Sequence, residues 1–577
     1  MNRGIITSCL AGFVLIGAST VQAAEPRVQI VQAGADRLSE DLKYLVGLSP
    51  DPTLKKQWQT IEDTLESFLM GVTRDKPLRL DLIFTPTELA YVTFIPFEGG
   101  KLDPRSPDGF LANLNSLGYA SKSQGQGLWK LEDTAADITY ALRELGGYAL
   151  IGSSEKFVPA NLPADSTAEV KDLLSAGYDV AAQLKNPAEG QEERAAQFQE
   201  LRKELEAAVK FKRDESKESF ELRKLAVVQN FNEMQRFVVE TAELTIGWTT
   251  DVAGKSAKSD LSLTALAGTD LERSIQELAA KPSQFAALQL HDQPILGGKL
   301  NFPIDAMRQK HFREFYAAVK PVTAEEIDKR AGMTASGKAA AKKAMELFVG
   351  MLEEGIDLGV VDGFVDMHAG AGNQSVLIAA IRTVDGTKAV EIIKLLPQIR
   401  DDWKVQADVK DDQGVLLHKV IVPARRKAVF ESLFPGSELA IHVGTSKDIV
   451  WFAIGEGSLT ELTAAIKAVK ETPESSEAVP PEVLTFTAKL GPWVKWLKTL
   501  QDNRPAPAKA PSKTELQAQK EREVRLNLAN DALKAGNDVV QGWMKREGNK
   551  VLGEMTVQEG VLRAVGSLTA KFAKDNL

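Results

Sequence analysis

The chain has 577 residues and a mass of 62.8 kDa, about twice the length at which a single hydrophobic core stops growing. Hydrophobic residues make up 44% and charged residues 26%, which excludes a disordered or collagen-like chain and indicates a globular protein of at least two domains. The formal net charge is −9 without a concentrated basic stripe, so we expect no nucleic-acid partner.

The first 23 residues have the layout of a secretory signal peptide. Arg3 supplies the positive start, residues 5–18 are largely apolar, and the small residues that end at Ala23 predict cleavage after it. A lipoprotein signal ending at Cys9 is the alternative, but most of the apolar run follows that Cys instead of preceding it. Cys9 is the only cysteine, so the mature chain has no disulfide. No later stretch holds 18 consecutive apolar residues, and we expect no transmembrane span in the mature chain.

The N-terminal segment of the mature chain predicts a strand, a helical hairpin and a β-hairpin. The first strand is expected at residues 28–31 and the first helix at residues 36–47. A second helix is expected at residues 53–71, because apolar side chains recur there every three or four positions. Leucines then alternate from Leu78 as a strand, and residues 89–97 return as its partner.

The same order of elements recurs three more times. Strand-like runs end near Pro187, Pro303 and Pro492, where a helix can begin because its first turn does not need the N–H that proline lacks. Helical segments follow, with breaks predicted at residues 214–217, 321–337 and 503–507. The β-hairpins then begin 57, 57 and 59 residues after the three prolines, near Leu244, Val360 and Val551.

The pattern predicts a tandem duplication. A four-strand pattern ending at residues 148–153 separates the first copy from the second, and its counterpart within residues 414–456 separates the third from the fourth. One half then spans residues 24–282 and the other residues 283–577, with a Pro/Ala-rich linker at residues 502–513 inside the second. The simpler alternative is that any long α+β chain alternates strands and helices. Short turns favour the α+β class, with mainly antiparallel sheets covered by helical hairpins.

No complete catalytic motif occurs in the sequence. Residues 332–338 have the spacing of a phosphate-binding loop, but Ala339 stands where that loop needs a hydroxyl for Mg²⁺. Ser153 and Lys156 have a spacing seen in some acyl-transfer enzymes, but the companion motifs of those enzymes are missing. His418 is on the same face of its strand as its apolar neighbours, whereas His442 is on the opposite face from those of its own strand. We therefore do not expect the two to converge on a metal.

The best polar constellation lies on a strand predicted at residues 360–368. Asp362, Asp366 and His368 share one face of it, and a carboxylate and an imidazole about 7 Å apart along a strand could bind a metal or relay a proton. The ordinary explanation of such alternation is a solvated face of an antiparallel strand, and we expect that here. The three residues are therefore weak catalytic candidates, and we expect no cofactor and no metal site.

Three short stretches carry a family resemblance. They are Ala24-Glu25-Pro26-Arg27, Asp41-Leu42-Lys43-Tyr44-Leu45 and Glu559-Gly560-Val561-Leu562-Arg563-Ala564. Together with the order of elements along most of the chain, they resemble a group of exported, signal-peptide-bearing proteins of planctomycete bacteria. The resemblance implies export and a bacterial source. The group has no established activity, so it assigns no role to any residue.

These observations favour a non-catalytic exported binding or scaffold protein of the periplasm or cell surface. Clefts between domains commonly bind ligands, so we expect an apolar ligand or an envelope protein between the two halves. Tyr91, Phe94 and Phe97 could line such a cleft, although core packing explains them equally well. The alternative is an extracytoplasmic hydrolase with a dispersed or metal-assisted site.

Overall fold

The computed structural model describes the chain between Arg27 and Asn576, with gaps. The described residues are 27–48, 58, 62–63, 66, 69–84, 89–97, 102, 109–133, 136, 138–160, 170–213, 215–278, 280–370, 374–423, 430–431, 433–434, 439–471, 482–502 and 512–576. The predicted leader and most of the helix at residues 53–71 and of the linker at residues 502–513 lie outside them. Within the described residues the protein is α+β, with 20 strands in one antiparallel sheet and 13 α-helices.

The strands form two sets in chain order. The first set is β1 (Arg27–Gln32), β2 (Leu78–Phe84), β3 (Leu89–Pro96), β4 (Tyr119–Gly125), β5 (Leu128–Asp133), β6 (Ile138–Leu145), β7 (Tyr148–Gly152), β8 (Val180–Lys185), β9 (Thr241–Asp251) and β10 (Ser256–Ala265). The second set is β11 (Leu296–Pro303), β12 (Val360–Ala369), β13 (Ser375–Arg382), β14 (Lys404–Asp412), β15 (Val415–Ile421), β16 (Ala440–Thr445), β17 (Ile449–Ile454), β18 (Glu482–Lys489), β19 (Val539–Glu547) and β20 (Lys550–Gln558).

The helices lie between these strands and after the last strand of each set. In the first set they are α1 (Ala35–Gly47), α2 (Phe110–Ser116), α3 (Lys171–Ser175), α4 (Gln191–Ala208), α5 (Lys217–Glu240) and α6 (Asp270–Glu277). In the second they are α7 (Ala306–Lys329), α8 (Ala335–Asp357), α9 (Lys388–Ile399), α10 (Ser458–Glu471), α11 (Leu490–Asp502), α12 (Lys513–Lys534) and α13 (Glu559–Asn576).

Side-chain caps fix where the helical hairpins begin. Ser216 caps α5, Asp305 caps α7 and Thr334 caps α8, each by accepting the backbone N–H three positions later. The Asn186 side chain joins the end of β8 to the start of β9 by donating to the carbonyl of Thr241 at 2.8 Å. These local bonds set the ends of the α4–α5 and α7–α8 hairpins.

Strand pairing gives both sets the same topology. From the outer edge of the first set to the middle of the sheet, neighbours follow in the order β4-β5-β6-β7-β3-β2-β1-β8-β9-β10. From the other outer edge the order is β14-β15-β16-β17-β13-β12-β11-β18-β19-β20. Each strand of one set thus has a counterpart at the same place in the other. The sequence suggested several sheets, whereas the strands form one.

Two predicted boundaries are wrong. Pro321 lies inside α7 instead of in a break, and that helix ends only at Lys329. Pro321 is exposed, so water can bond the carbonyl that proline leaves without an N–H partner. The last β-hairpin begins at Val539, and Val551 lies in its second strand. The equal spacing of the predicted hairpins therefore does not hold, although strand, helical hairpin and β-hairpin follow in the predicted order at β8–β10, β11–β13 and β18–β20.

The two halves join edge to edge through β10 and β20. Every residue of β10 from Ser256 to Thr264 pairs with one of β20. On one face of this junction α6 packs in a cluster with Leu263 and Val551, and α13 packs in another with Ala257 and Val557. Each cluster contains side chains from both halves, so apolar burial reinforces the backbone pairing.

A second contact between the halves is made by helices. Arg308 of α7 pairs with Glu233 of α5 at 3.0 Å, and Arg236 of α5 pairs with Asp305 at 2.9 Å. These ion pairs hold the α4–α5 and α7–α8 hairpins side by side. In the part of the chain that the structure describes, we find no helix with the length and apolar character needed to span a membrane.

A buried pair of carboxyl groups fixes α1 to the region where β8 and β9 meet. Arg37 Nε donates to Asp179 Oδ1 at 2.7 Å and lies 3.8 Å from Asp41 Oδ1, and the guanidinium also donates to the carbonyl of Thr250. Both carboxyl groups are buried, and one guanidinium faces two potential negative charges. Burial, and after it the charge of Asp179, raises the pKa of Asp41 from 3.8 to about 6.

We expect this pair to make the protein less stable as the pH rises toward neutrality. Unfolded, Asp41 loses its proton near 3.8, whereas folded it keeps the proton up to about 6, so stability falls as the pH rises through that window. Asp41→Asn should remove this dependence and raise the free energy of unfolding at neutral pH by about 1 to 3 kcal/mol. Urea titrations on both sides of the window test this, with Asp36→Asn, an exposed change in the same helix, as the control. An unaltered pH dependence in Asp41→Asn would contradict it.

Candidate functional site

The three candidate residues of β12 share one face of that strand and are buried. Asp362 is 1% exposed, and Asp366 and His368 are each 7% exposed. The expectation of a solvated strand face is therefore wrong. The alternation along the strand is regular, but a segment from elsewhere in the chain covers this face. We call that segment, residues 283–292, the strap.

The first anchor of the strap is Asp362. Its two carboxylate oxygens accept from the Ser283 hydroxyl at 2.6 Å and from the backbone N–H of Gln284 at 2.7 Å. Burial raises the pKa of Asp362, and the bonds from Ser283 and Gln284 and the nearby charge of Arg382 act in the opposite direction. The two donors thus make it possible to bury this carboxylate.

The middle of the strap is held by apolar packing. Phe285 meets Trp451 edge to face, with ring centroids 5.9 Å apart, and Leu288 lies in the same cluster with Phe364 of β12. Lys299 of β11 donates to the carbonyl of residue 286 at 3.4 Å, and its partial burial lowers its pKa. The strap is therefore part of the core of the second half.

The second anchor is a pair of histidines beside two carboxylates. His368 Nδ1 lies 2.9 Å from Asp366 Oδ2, and His368 Nε2 lies 3.4 Å from Glu461 Oε1. The ring of His291 stacks on that of His368 at 4.3 Å, and its backbone N–H donates to Asp366 at 3.3 Å. A neutral imidazole can donate to only one of the two carboxylates, whereas an imidazolium can donate to both.

This arrangement is suited to holding the strap more than to chemistry. Asp362 lies four strand positions from Asp366, about 13 Å away, so the candidates form two separate anchors. Within the described residues, the ring nitrogens of His368 face the carboxylates of Asp366 and Glu461, and neither is a serine, cysteine or lysine nucleophile. Among the described residues no group of three or more His, Cys, Asp or Glu side chains could hold a metal ion.

The histidines of β15 and β16 lie elsewhere in the sheet. His418 is buried, with Nδ1 accepting from the N–H of Asp408 at 3.0 Å and Nε2 lying 2.9 Å from the Thr445 hydroxyl. Burial lowers its pKa, which favours the neutral ring. The strand register puts His418 opposite Val443 and His442 on the other face of the sheet. Among the histidines in the described part of the chain, His291 alone stacks on His368, and sequence alternation could not have indicated it because it lies on the strap.

The aromatic residues proposed to line a cleft between the halves do not do so together. Phe94 and Phe97 are 4% and 2% exposed and belong to two different hydrophobic clusters of the first half. Tyr91 contacts Tyr140, with ring centroids 6.4 Å apart. These side chains serve the core of the first half.

Comparison of the chain with protein-family models, with curated proteins and with solved structures gives no match.

Removing the first anchor should loosen the strap. In Asp362→Ala the Ser283 hydroxyl and the Gln284 N–H lose their acceptor in a buried place, and we expect the free energy of unfolding to fall by about 1 to 3 kcal/mol. Denaturant titration measures this, and hydrogen exchange of residues 283–292 should increase. Asp357→Ala is the matched control, because that carboxylate is 65% exposed in a surface ion pair and should change stability little. Equal effects of the two substitutions would rule out the anchoring role.

Proposed function

We propose that the protein is exported and acts as a non-catalytic binding or scaffold protein of the periplasm or cell surface. The leader predicted at residues 1–23 and the resemblance to exported planctomycete proteins support export. The involvement of Asp362, Asp366 and His368 in anchoring the strap supports a non-catalytic role.

If the protein is exported, the mature chain isolated from its host should begin at Ala24. N-terminal sequencing tests this, and an N-terminus at Met1 or a lipid on Cys9 would exclude this processing.

We also propose that the two halves arose by tandem duplication. The support is the common strand order of the two sets, including the four-strand insertions β4–β7 and β14–β17 at corresponding places. A helix also follows the last strand of each set, α6 after β10 and α13 after β20. Spacing along the chain contributes nothing, because the hairpins do not begin at equal distances.

The observation that carries the binding proposal is an apolar strip at the junction of the halves. It consists of Ile246 of β9, Leu261 of β10, Met555 of β20, Met544 of β19 and Phe486 of β18. The strand register puts these residues on the face of the sheet that carries α6 and α13. The two helices cover the ends of this face, around Leu263 and Val557 in their separate clusters. The strip is the floor between them.

The strip is apolar and open at two of its residues, whereas Leu261 and Met544 pack against the cluster around α6. Ile246 is 42% exposed and Met555 is 40% exposed. The Phe486 ring lies over Gly542, where an added Cβ would come within 2.7 Å of the ring. Because Gly542 has no side chain, the ring lies close to the backbone of β19. Exposed apolar surface of this kind at the centre of a sheet favours a ligand, because removing apolar surface from water lowers the free energy. The class of ligand that fits is a lipid-like apolar molecule.

Purified protein should therefore carry an apolar molecule that mass spectrometry of a solvent extract detects. Ile246→Lys puts a charge in the strip and should strongly reduce the amount bound. Val252→Lys is the matched control, because Val252 is 44% exposed in the β9–β10 turn, outside the strip. An empty extract from the unaltered protein, or equal loss in both variants, would leave only the scaffold role.

The hydrolase alternative rests on one observation, the imidazole of His368 between the carboxylates of Asp366 and Glu461. A metal-assisted version would require a stoichiometric ion in the purified protein that is lost in both Asp366→Ala and His368→Ala. Burial of the cluster beneath the strap makes this alternative the weaker one.

A further inference from the structure

The face of the central strands opposite the apolar strip is polar. Lys258 and Asp260 of β10, Glu554 of β20 and Trp543 of β19 point to this side, since they alternate with the strip residues of the same strands. All four side chains are partly or largely exposed. We call this surface the polar face.

Raised structure borders the polar face on both sides. On the side of the first half, the Tyr178 ring lies against Gly247 of β9, where an added Cβ would come within 2.2 Å of the ring. Tyr178 belongs to the hydrophobic cluster under α3. On the side of the second half the border is the strap, which Lys299 contacts from β11. The polar face is therefore the floor of a trough between the two halves.

A fixed charge cluster occupies the centre of the floor. Lys258 Nζ lies 3.1 Å from Asp260 Oδ1 and 2.9 Å from Glu554 Oε2. The bond to Glu554 and, more weakly, that to Asp260 raise the pKa of Lys258, so one ammonium is shared by two carboxylates. The cluster by itself has a net negative charge, Lys545 adds an ammonium 5.3 Å from the centre of the Trp543 ring, and the remaining carboxylate lone pairs can accept from neutral donors.

Two aromatic rings flank the cluster in one row across the sheet. Gly247, under the Tyr178 ring, is opposite Asp260; Asp260 is opposite Glu554; and Glu554 is opposite Trp543. Three strand spacings separate β9 from β19, about 14 Å. The charge of Asp260 helps to raise the pKa of Tyr178, after burial, which agrees with the proximity of the phenol to the cluster.

We propose that this trough binds a neutral oligosaccharide, with Trp543 and Tyr178 against its sugar rings and the Lys258–Asp260–Glu554 cluster bonded to its hydroxyls. A sugar ring has an apolar face of C–H groups and a rim of hydroxyls. Aromatic rings with one wet edge match the first, and charged donors and acceptors match the second. Threonine hydroxyls and the Gln541 amide on the same face both donate and accept, as hydroxyl ligands require.

This site is independent of the apolar strip, because the two lie on opposite faces of the same strands. Each can therefore fail without the other. Adjacent residues on one strand provide matched variants, since Trp543 belongs to the polar face and Met544 to the strip.

Affinity electrophoresis of the full mature chain tests the proposal, with native gels containing starch, barley β-glucan, galactomannan or dextran as neutral probes and alginate as the anionic one. We expect at least one neutral polysaccharide to retard the protein. Trp543→Ala should weaken that association by roughly tenfold or more, as for other central aromatic contacts. Trp543→Phe, which keeps a ring, and Met544→Ala, on the opposite face, should retain most of it.

The proposal is overturned if no neutral polysaccharide retards the protein, if alginate alone does so, or if Trp543→Ala and Met544→Ala behave alike. Circular dichroism and denaturant titration of each variant show whether it is folded. Should Trp543→Ala unfold, Asp260→Asn, at a partly exposed position, replaces it and should also weaken retardation.

Discussion

The backbone pairing of β10 with β20 is the interaction on which the rest of the structure depends. Each half alone would end in a long edge strand with unpaired N–H and C=O groups, which is a liability for an isolated sheet. Pairing removes both edges at once. Because the two strands are antiparallel, α6 and α13 reach the same face from opposite ends, where they bury Leu263 with Val551 and Ala257 with Val557.

The same pairing creates two surfaces of different chemistry. Side chains alternate along a strand, so one set of residues in β9, β10, β20, β19 and β18 meets the helices and the next set points away from them. Ile246 and Met555 belong to the first surface, and Asp260 and Glu554 to the second. Neither half has these surfaces by itself, because each surface combines strands from both halves. Any function at the junction therefore requires the whole chain.

Local patterns predicted the local structure well. The first strand, the first helix and the alternation of strands with helices could be derived because periodicity acts over a few residues. The same argument failed at Pro321, because an exposed helical proline costs less than a buried one. The register that joins β10 to β20 involves residues far apart in sequence, and no local pattern reports it.

The candidate site shows the same limit. Alternation correctly put Asp362, Asp366 and His368 on one side of β12, but whether that side meets water depends on where the strap lies. Burial of the strap was not visible in its own composition, which includes Ser283, Gln284 and His291. A single strand can therefore predict which residues are neighbours without predicting what covers them.

The two halves solve one problem of charge burial in different ways, and this bears on the trough between them. Asp81 of β2 is buried at the counterpart of the β12 face, and Arg79 of the same strand binds it through two bonds of 2.7 Å while lying 4.6 Å from the centre of the Phe94 ring. In the second half the strap supplies the partners of Asp362. A buried carboxylate that lost its partners would be costly, so both arrangements resist rearrangement. The strap, which borders the polar face in the second half, is thus fixed by buried polar contacts.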